Sequence, residues 1–492
     1  MILLVLILMP FCAGPIDWLA GRRSTKAVRW ISLATMLVGF LISVWLWTVN
    51  RNAGFHIWFA DLNWNWLPEF GIHFHLAVDG LSILFVTLTY FLGIVAVLVS
   101  WTEIQYQVGF FHLNLLWAVT GMVGVFLAID LFLFYFAWEL MLVPIYFLID
   151  IWGHEHRHYA AVKYFLFTQI SGLLMLIAIL ALYFAHHSIT GIYTFEYGDL
   201  LDTPLPFGTQ MWIMLGFFVA FAVKLSMVPL HSWLPDAHTE APTAGSVDLA
   251  GLLVKTGGYG MIRFVIPLFP QAAHAFAPVA QALGVAGILY GAILAFGQTD
   301  LKRLVACTSV SHMGFVVLGI FVWNSLALEG AVVLMFAHGI STGALFVIVG
   351  ALQERIHTRE ISRMGGLWSV APRLSGAALF FGLASLGLPG LGDFVGEFLV
   401  LLGAFYVSIP LAVWATIGVL ASTFYVLRMM QRAFRGPNMA GWRIADLVPR
   451  EDFTIAMMIV VVLWVGLYPR PLLDMFRPAM VRMENYAGWR TH

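Results

Sequence analysis

The stretch Met211–Trp233, MWIMLGFFVAFAVKLSMVPLHSW, decides how the chain folds. An apolar run carries a lysine, Lys224, roughly 20 Å along a helix that rises 1.5 Å per residue, and a proline, Pro229, soon after it. A run of this length and apolarity reads as a membrane span. Pro229 cannot donate to the carbonyl of Leu225 and crowds it, so the helix is expected to open over residues 224–228. Opened backbone is tolerated at membrane depth only where it lines protein or water. Lysine and break together therefore predict a polar interior inside an apolar shell.

The rest of the chain has the same character. Of its 492 residues 61% are hydrophobic and only 10% charged, and the mean hydropathy is +0.89, the composition of a polytopic membrane protein. A net charge of −1 gives no reason to expect nucleic acid or an acidic ligand. Cys12 and Cys307 are far apart, with neither metal-ligand spacing nor a disulfide framework. The start, MILLVLILMPFCAGPIDWLAG, lacks a basic region ahead of its apolar core and reads as a retained first span.

Apolar runs place spans near 2–20, 29–49, 78–100, 109–128, 130–150, 161–184, 211–230, 245–268, 278–297, 303–322, 326–352, 374–405, 410–432 and 452–468. The expected fold is all-α: a polytopic membrane protein of about 14 transmembrane helices, residues 1–492 forming a single membrane domain. The runs are too long and too uniformly apolar for barrel strands. Loop basic residues Arg22, Arg23, Lys26, Arg157, Lys302, Arg355, Arg359, Arg363, Arg435, Arg443 and Arg450 recur on one side. The opposite loops hold little beyond Arg51, which puts both termini outside, with Arg470, Arg477, Arg482 and Arg490 as exceptions. The aromatic-rich segment Asn50–Val78 reads as a loop at the lipid headgroups.

An ionisable residue at the centre of a span costs about 2.5–3.5 kcal/mol, so it persists where it meets a partner or a hydrated cavity. Away from span ends these are Glu139, Lys224, Asp248, Lys255, His312, His338, Asp393 and Glu397. Glu139 reads as a proton site paired with a lysine, against a structural salt bridge. Burial lowers and a nearby carboxylate raises the proton affinity of a lysine such as Lys224, so moving the carboxylate changes it. Lys255 is central to its span, with Asp248 two turns earlier on the same face as a feeder or an anchor. His312 and His338, in adjacent spans, read as a proton relay rather than two isolated core histidines.

The twelfth span, LASLGLPGLGDFVGEFLVLL, repeats the combination of a break, at Pro389 and its glycines, with a buried charge, Glu397. The separation between Glu139 and Lys224 along the chain is also the separation between His312 and Glu397. This suggests two inverted five-helix repeats, 109–268 (helices 4–8) and 278–432 (helices 9–13), with broken seventh and twelfth helices. The motif HEHRH, His154–His158, matches the zinc-hydrolase pattern but lies in a short loop without a third ligand, so it reads as solvated loop. No nucleotide, haem or iron–sulfur motif is present in the sequence.

The segments VKLSMVPLHSWLPDAHTEAPTAGSVDLAGLLVKTGGYGMIRF (from Val223), QTDLKRLVACTSVSHMGF (from Gln298), FAHGISTGALF (from Phe336) and LGLPGLGDFVGEFL (from Leu386) resemble the antiporter-like membrane subunits of respiratory complex I. The resemblance covers roughly Leu113–Phe434 and implies a fourteen-helix fold with inverted repeats and a half-channel from each side. It implies Glu139 with Lys224 as coupling ion pair, Lys255 as central proton carrier, His312 and His338 as relay, and Glu397 as the last site before the outside. Glutamate at 397 fits one branch of this family, whereas subunits L and N and Mrp-type subunits usually carry lysine there. The implied function is proton translocation driven by quinone reduction elsewhere in the complex, in the bacterial inner membrane, beside subunits L and N. NADH, FMN, iron–sulfur clusters and quinone would then belong to other subunits, with no cofactor or redox chemistry in this chain. The competing readings are a subunit of a multisubunit sodium/proton antiporter, sharing nearly every charge, and a scaffold held by structural ion pairs.

Overall fold

The computed structural model describes residues 1–50, 58–486 and 488 and is mostly helical. Arg51 and Arg490, used above for orientation, lie outside the described residues. The helices run α1 Ile2–Ala20, α2 Thr25–Asn50, α3 Gly80–Glu103, α4 Val108–Leu127, α5 Leu131–Trp152, α6 Arg157–Thr190 and α7 Phe207–Lys224. They continue as α8 Trp233–Glu240, α9 Thr243–Leu268, α10 Pro270–Gly297, α11 Leu301–Phe321 and α12 Ser325–Ile356. Last come α13 Pro372–Ser385, α14 Gly392–Val407, α15 Ile409–Phe434, α16 Pro449–Leu467 and α17 Arg470–Tyr486. Among the described residues 12 helices are long and apolar enough to cross a membrane, or 13 if α16 and α17, bent by 69°, count together.

Helix starts follow local chemistry. Asp79, Asp130 and Asp300 each cap the helix that follows, accepting two backbone N–H bonds, and Asn324 does the same for α12. Lipid tails give no hydrophobic drive between helices, so close contact depends on small residues. Gly314 of α11 is one case: a Cβ there would lie 2.6 Å from the Gly284 carbonyl oxygen of α10. The most apolar windows of α9, α11 and α12 are 100% buried, against 33% for α1, α2 and α15. The covered centre therefore consists of the helices that carry Lys255, His312 and His338.

The chain is mostly helical, with one element that was not expected in the headgroup segment: β1 (Ala60–Leu67) and β2 (Ile72–Val78) form an antiparallel hairpin with Ala60 opposite Val78. The turn passes through Gly71 at φ 64, and the alternation in Asn63–Trp66, NWNW, is its period-two signal. Residues 58–78 are thus built structure, tied inward by the His73 N–H bond to the Asp130 carboxylate at 3.0 Å. The run 374–405, where Pro389 and its glycines led to an expected break, holds two helices, α13 and α14, and α7 ends at Lys224 with helix resuming only at Trp233.

The two interruptions share one backbone pattern. After α7, Ser226 N bonds to Val223 O and Met227 N to Ala222 O; after α13, Gly387 N bonds to Ala384 O and Leu388 N to Leu383 O. Both are Schellman ends, with Ser226 at φ 59 and Gly387 at φ 68 in the left-handed position. Every bond in the second set is the first carried along the chain by one constant offset, the offset that takes Leu225 to Leu386. Leu230 N to Met227 O and Leu391 N to Leu388 O obey it as well. In this register Lys224 corresponds to Ser385, so the matching separations of Glu139 from Lys224 and of His312 from Glu397 do not arise from equivalent positions.

Candidate functional site

Lys255, His338, His312 and Glu397 are brought together in the covered centre. Lys255 is fully buried on α9, its Nζ 2.9 Å from His338 Nδ1 on α12. The same Nζ donates to the Ala250 carbonyl, which lies in a π-helical turn, Leu249–Leu253, whose wider winding frees backbone acceptors. His338 Nε2 is 3.1 Å from Thr342 Oγ1, and its ring centroid is 4.8 Å from that of His312. His312 on α11 spans the last step, with Nδ1 3.0 Å from Glu397 Oε1 and Nε2 3.2 Å from Ser385 Oγ. Glu397 reaches this point past Gly387, where a Cβ would stand 2.3 Å from its Oε2. The glycine is therefore required twice, for its positive φ and for the carboxylate's passage.

Glu139 and Lys224 form a second locus with a different geometry from the expected ion pair. Lys224 Nζ lies 5.0 Å from the Trp138 ring centroid and 5.9 Å from that of Tyr164. Among the described residues Lys224 Nζ and Glu139 Oε1 have no hydrogen-bond partner. Trp138 is buried facing the lysine, and Glu139, the next residue and half-buried, acts on the lysine electrostatically without a direct bond. The locus abuts the central one, because Gly257 of α9 packs on Phe221 and Leu225 at the end of α7, where a Cβ would come within 2.6 Å of Phe221 O. Trp233 Nε1 donates to Val223 O at 2.9 Å, supporting the backbone where α7 stops.

Asp248 does not join Lys255. The π turn between them shifts the helical register, and among the described residues neither buried carboxylate oxygen of Asp248 has a partner. The HEHRH histidines diverge: His154 Nε2 is 3.4 Å from Gln353 Nε2, and His158 Nδ1 is 2.5 Å from Asp150 Oδ1. Burial, then the charges of Lys302 and Arg359, pushes His154 down to about 3. Sequence reasoning gave no role to Ser385, Thr342 or Trp138, which an apolar-run search passes over. Asp393 it noted only as buried, although it stands one helical turn before Glu397.

Beyond the central line, Arg263 of α9 bonds through Nη2 to both oxygens of Asp79 at 2.7 Å, and its Nε donates to Tyr259 Oη at 3.2 Å. This pair floors a cavity of about 430 Å³ lined by His73, His75, Glu196 and Arg482 among others. His75 Nδ1 is 2.6 Å from Glu196 Oε2 and its Nε2 3.1 Å from Asp61 Oδ2. Burial alone would lower His75, but Glu196 and then Asp61 outweigh it and hold it above the ordinary 6.5.

Apolar helices enclosing a contiguous series of lysine, histidines and a carboxylate define a polytopic membrane protein with a covered polar interior. Residues 128–424 match the model of the NADH:quinone oxidoreductase/Mrp antiporter transmembrane family. The NADH-quinone oxidoreductase subunit M of Pseudomonas aeruginosa is 52% identical, over 99% of this chain and 98% of that one. A chain in the structure of respiratory complex I from Thermus thermophilus with bound NADH is 33% identical, each chain covered over 100%, with a TM-score of 0.89. A chain of the Mrp complex from Dietzia, 19% identical with a TM-score of 0.87 over 98% of this chain and 97% of that one, shares the fold. The chain belongs to the NADH:quinone oxidoreductase/Mrp antiporter family, among its NADH-quinone oxidoreductase subunit M members.

Proposed function

We propose that this chain is a proton-translocating membrane-arm subunit of NADH:quinone oxidoreductase, working beside other membrane subunits such as L and N. The observation that carries the reading is the series Lys255, His338, His312 and Glu397, every member buried, linked by contacts of 2.9 and 3.0 Å and one ring contact of 4.8 Å. Kinship with the subunit M relatives supports the same assignment. Quinone reduction elsewhere drives the motion; the redox cofactors belong to other subunits, and this chain moves protons only.

On this reading Glu139 and Lys224 form the input. A carboxylate that swings toward or away from a buried lysine changes how tightly the lysine holds its proton, and the unbonded arrangement of these two is one end of that swing. The proton passes to Lys255, then through the histidines to Glu397 and the outside. We read α7 with α8 and α13 with α14 as broken seventh and twelfth spans, which gives fourteen crossings and both termini outside. The matched Schellman ends support inverted repeats over helices 4–8 and 9–13. So do the matched isolated bridges, Asp130 to Glu196 and Asp300 to Glu360. Lys224→Ala, measured as quinone-linked proton pumping in assembled complexes, is expected to abolish most pumping; normal pumping in an assembled variant refutes the reading.

A further inference from the structure

We propose that Asp393 is a proton-holding residue of this path, a second carboxylate that takes the proton arriving from the Lys255 locus and hands it to Glu397. The inference rests on the proton-translocating reading above. Asp393 lies in the first turn of α14, four residues before Glu397, so the two carboxylates share one helix face a turn apart. Its side chain is wholly buried, and only one oxygen is occupied: Ser341 Oγ of α12 donates to Oδ2 at 2.6 Å. Oδ1 is equally buried and meets no hydrogen-bond donor among the described residues. A fully buried carboxylate with one free oxygen is costly to keep unless that oxygen is used. The first turn of a 16-residue helix is also where a carboxylate meets the positive end of the helix dipole.

The charged and titratable groups around Asp393 are those of the path. His312 from α11, Lys255 from α9 and Glu397 from its own helix interact with it electrostatically, and Tyr425 of α15 feels its charge. Ser341 sits three residues after His338, the partner of Lys255, and its hydroxyl also approaches the His338 carbonyl at 3.4 Å. The hydroxyl thus fixes Asp393 to the turn of α12 that receives the lysine's proton. In the proposed step an ammonium or imidazolium N–H bond breaks and an O–H bond forms at Asp393 Oδ1, leaving a neutral base and a carboxylic acid. That O–H bond then breaks as one forms on the Glu397 carboxylate, and Asp393 returns to its ionised form with no electrons exchanged. Two carboxylates a turn apart disfavour double ionisation, so the proton is held by the pair.

The test uses the assembled complex in liposomes. Asp393→Asn, which keeps shape and an acceptor for Ser341 but cannot take a proton, is expected to lower pumping by about 10²-fold. Asp393→Glu should restore it, and an infrared difference spectrum should lose one carboxyl C=O band in the Asn variant. Lys255→Ala is measured alongside. If Lys255→Ala pumps normally, the translocation reading itself falls; if only Asp393→Asn pumps normally with an unchanged pH profile, this inference alone is overturned. Should Asp393→Asn fail to assemble, Ser341→Ala decides: it retains the carboxylate but removes its donor, and must displace the pH profile of pumping. An unmoved profile overturns the inference.

Discussion

Replacing Arg263 by glutamine gives a sharp test of what holds the end of the bundle beside the hairpin together. The guanidinium touches both oxygens of Asp79 at 2.7 Å and Ser82 Oγ at 3.3 Å, and the ion pair is almost sealed, with side-chain exposures of 4% and 1%. Removing one partner of a buried pair costs about 3–5 kcal/mol, because the survivor is left desolvated and uncompensated. Two features soften the loss for Asp79. Its Oδ1 still accepts from Leu81 N at 3.1 Å and Ser82 N at 3.0 Å, and Arg482 Nη2 lies 3.8 Å from its Oδ2. Arg263→Gln should therefore fall near the low end, about 3 kcal/mol. Asp79→Ala strands the arginine and also removes the cap of α3, worth about 1 kcal/mol more. Asp79→Asn keeps the cap, so adding Arg263→Gln to it should cost little. The assay is reversible unfolding in mixed micelles followed by tryptophan fluorescence, read as a double-mutant cycle. An Arg263→Gln effect within about 0.5 kcal/mol of zero, or a full effect in the Asp79→Asn background, refutes the reasoning.

The hairpin supplies a pH prediction. His75 is held above 6.5 by Glu196 and Asp61, so its pairing stabilises the hairpin fully below the unfolded value and is lost as pH rises through the higher folded one. Hydrogen exchange of β2 amides, corrected for intrinsic rates, should show protection falling over that rise, and His75→Gln should flatten it; equal slopes in both proteins refute the assignment. Gly387→Ala combines a left-handed backbone penalty of about 1–2 kcal/mol with a Cβ 2.3 Å from Glu397 Oε2. It should displace the carboxylate from His312 and suppress pumping in assembled complexes, whereas Gly376→Ala, with nothing within 4 Å of the added carbon, should be silent. Normal pumping by Gly387→Ala removes the argument for that glycine.

What could be read from the sequence was whatever one residue type enforces by itself. Buried charges announce themselves against apolar runs, so the members of the Lys255–Glu397 series were visible before any geometry. Prolines 229 and 389 likewise marked the regions where helix stops, although the chain turns earlier, at Ser226 and Gly387. Partnership was less legible. Whether two charges touch depends on helical phase and rotamer, and here Trp138 stands over Lys224 while Glu139 acts on it electrostatically without a direct bond. The π turn at Leu249–Leu253 has no residue signature and dissolved the expected alignment of Asp248 with Lys255. The hairpin was hidden because its strands are rich in aromatic residues, which also suit a headgroup loop.

The recurrence of one Schellman end separates two tasks that a single residue might have performed. At the first occurrence the slot ahead of the turn holds Lys224, and at the second it holds Ser385. The backbone opening is the constant part and the charge is interchangeable cargo. At the second turn the nearby ionisable group is a carboxylate instead, Glu397 of the following helix, which reaches back beside Gly387. The slot can be exchanged by design: Ser385→Lys, paired with His312→Gln to release the bond that Ser385 now makes, would place the cation of the first turn in the frame of the second.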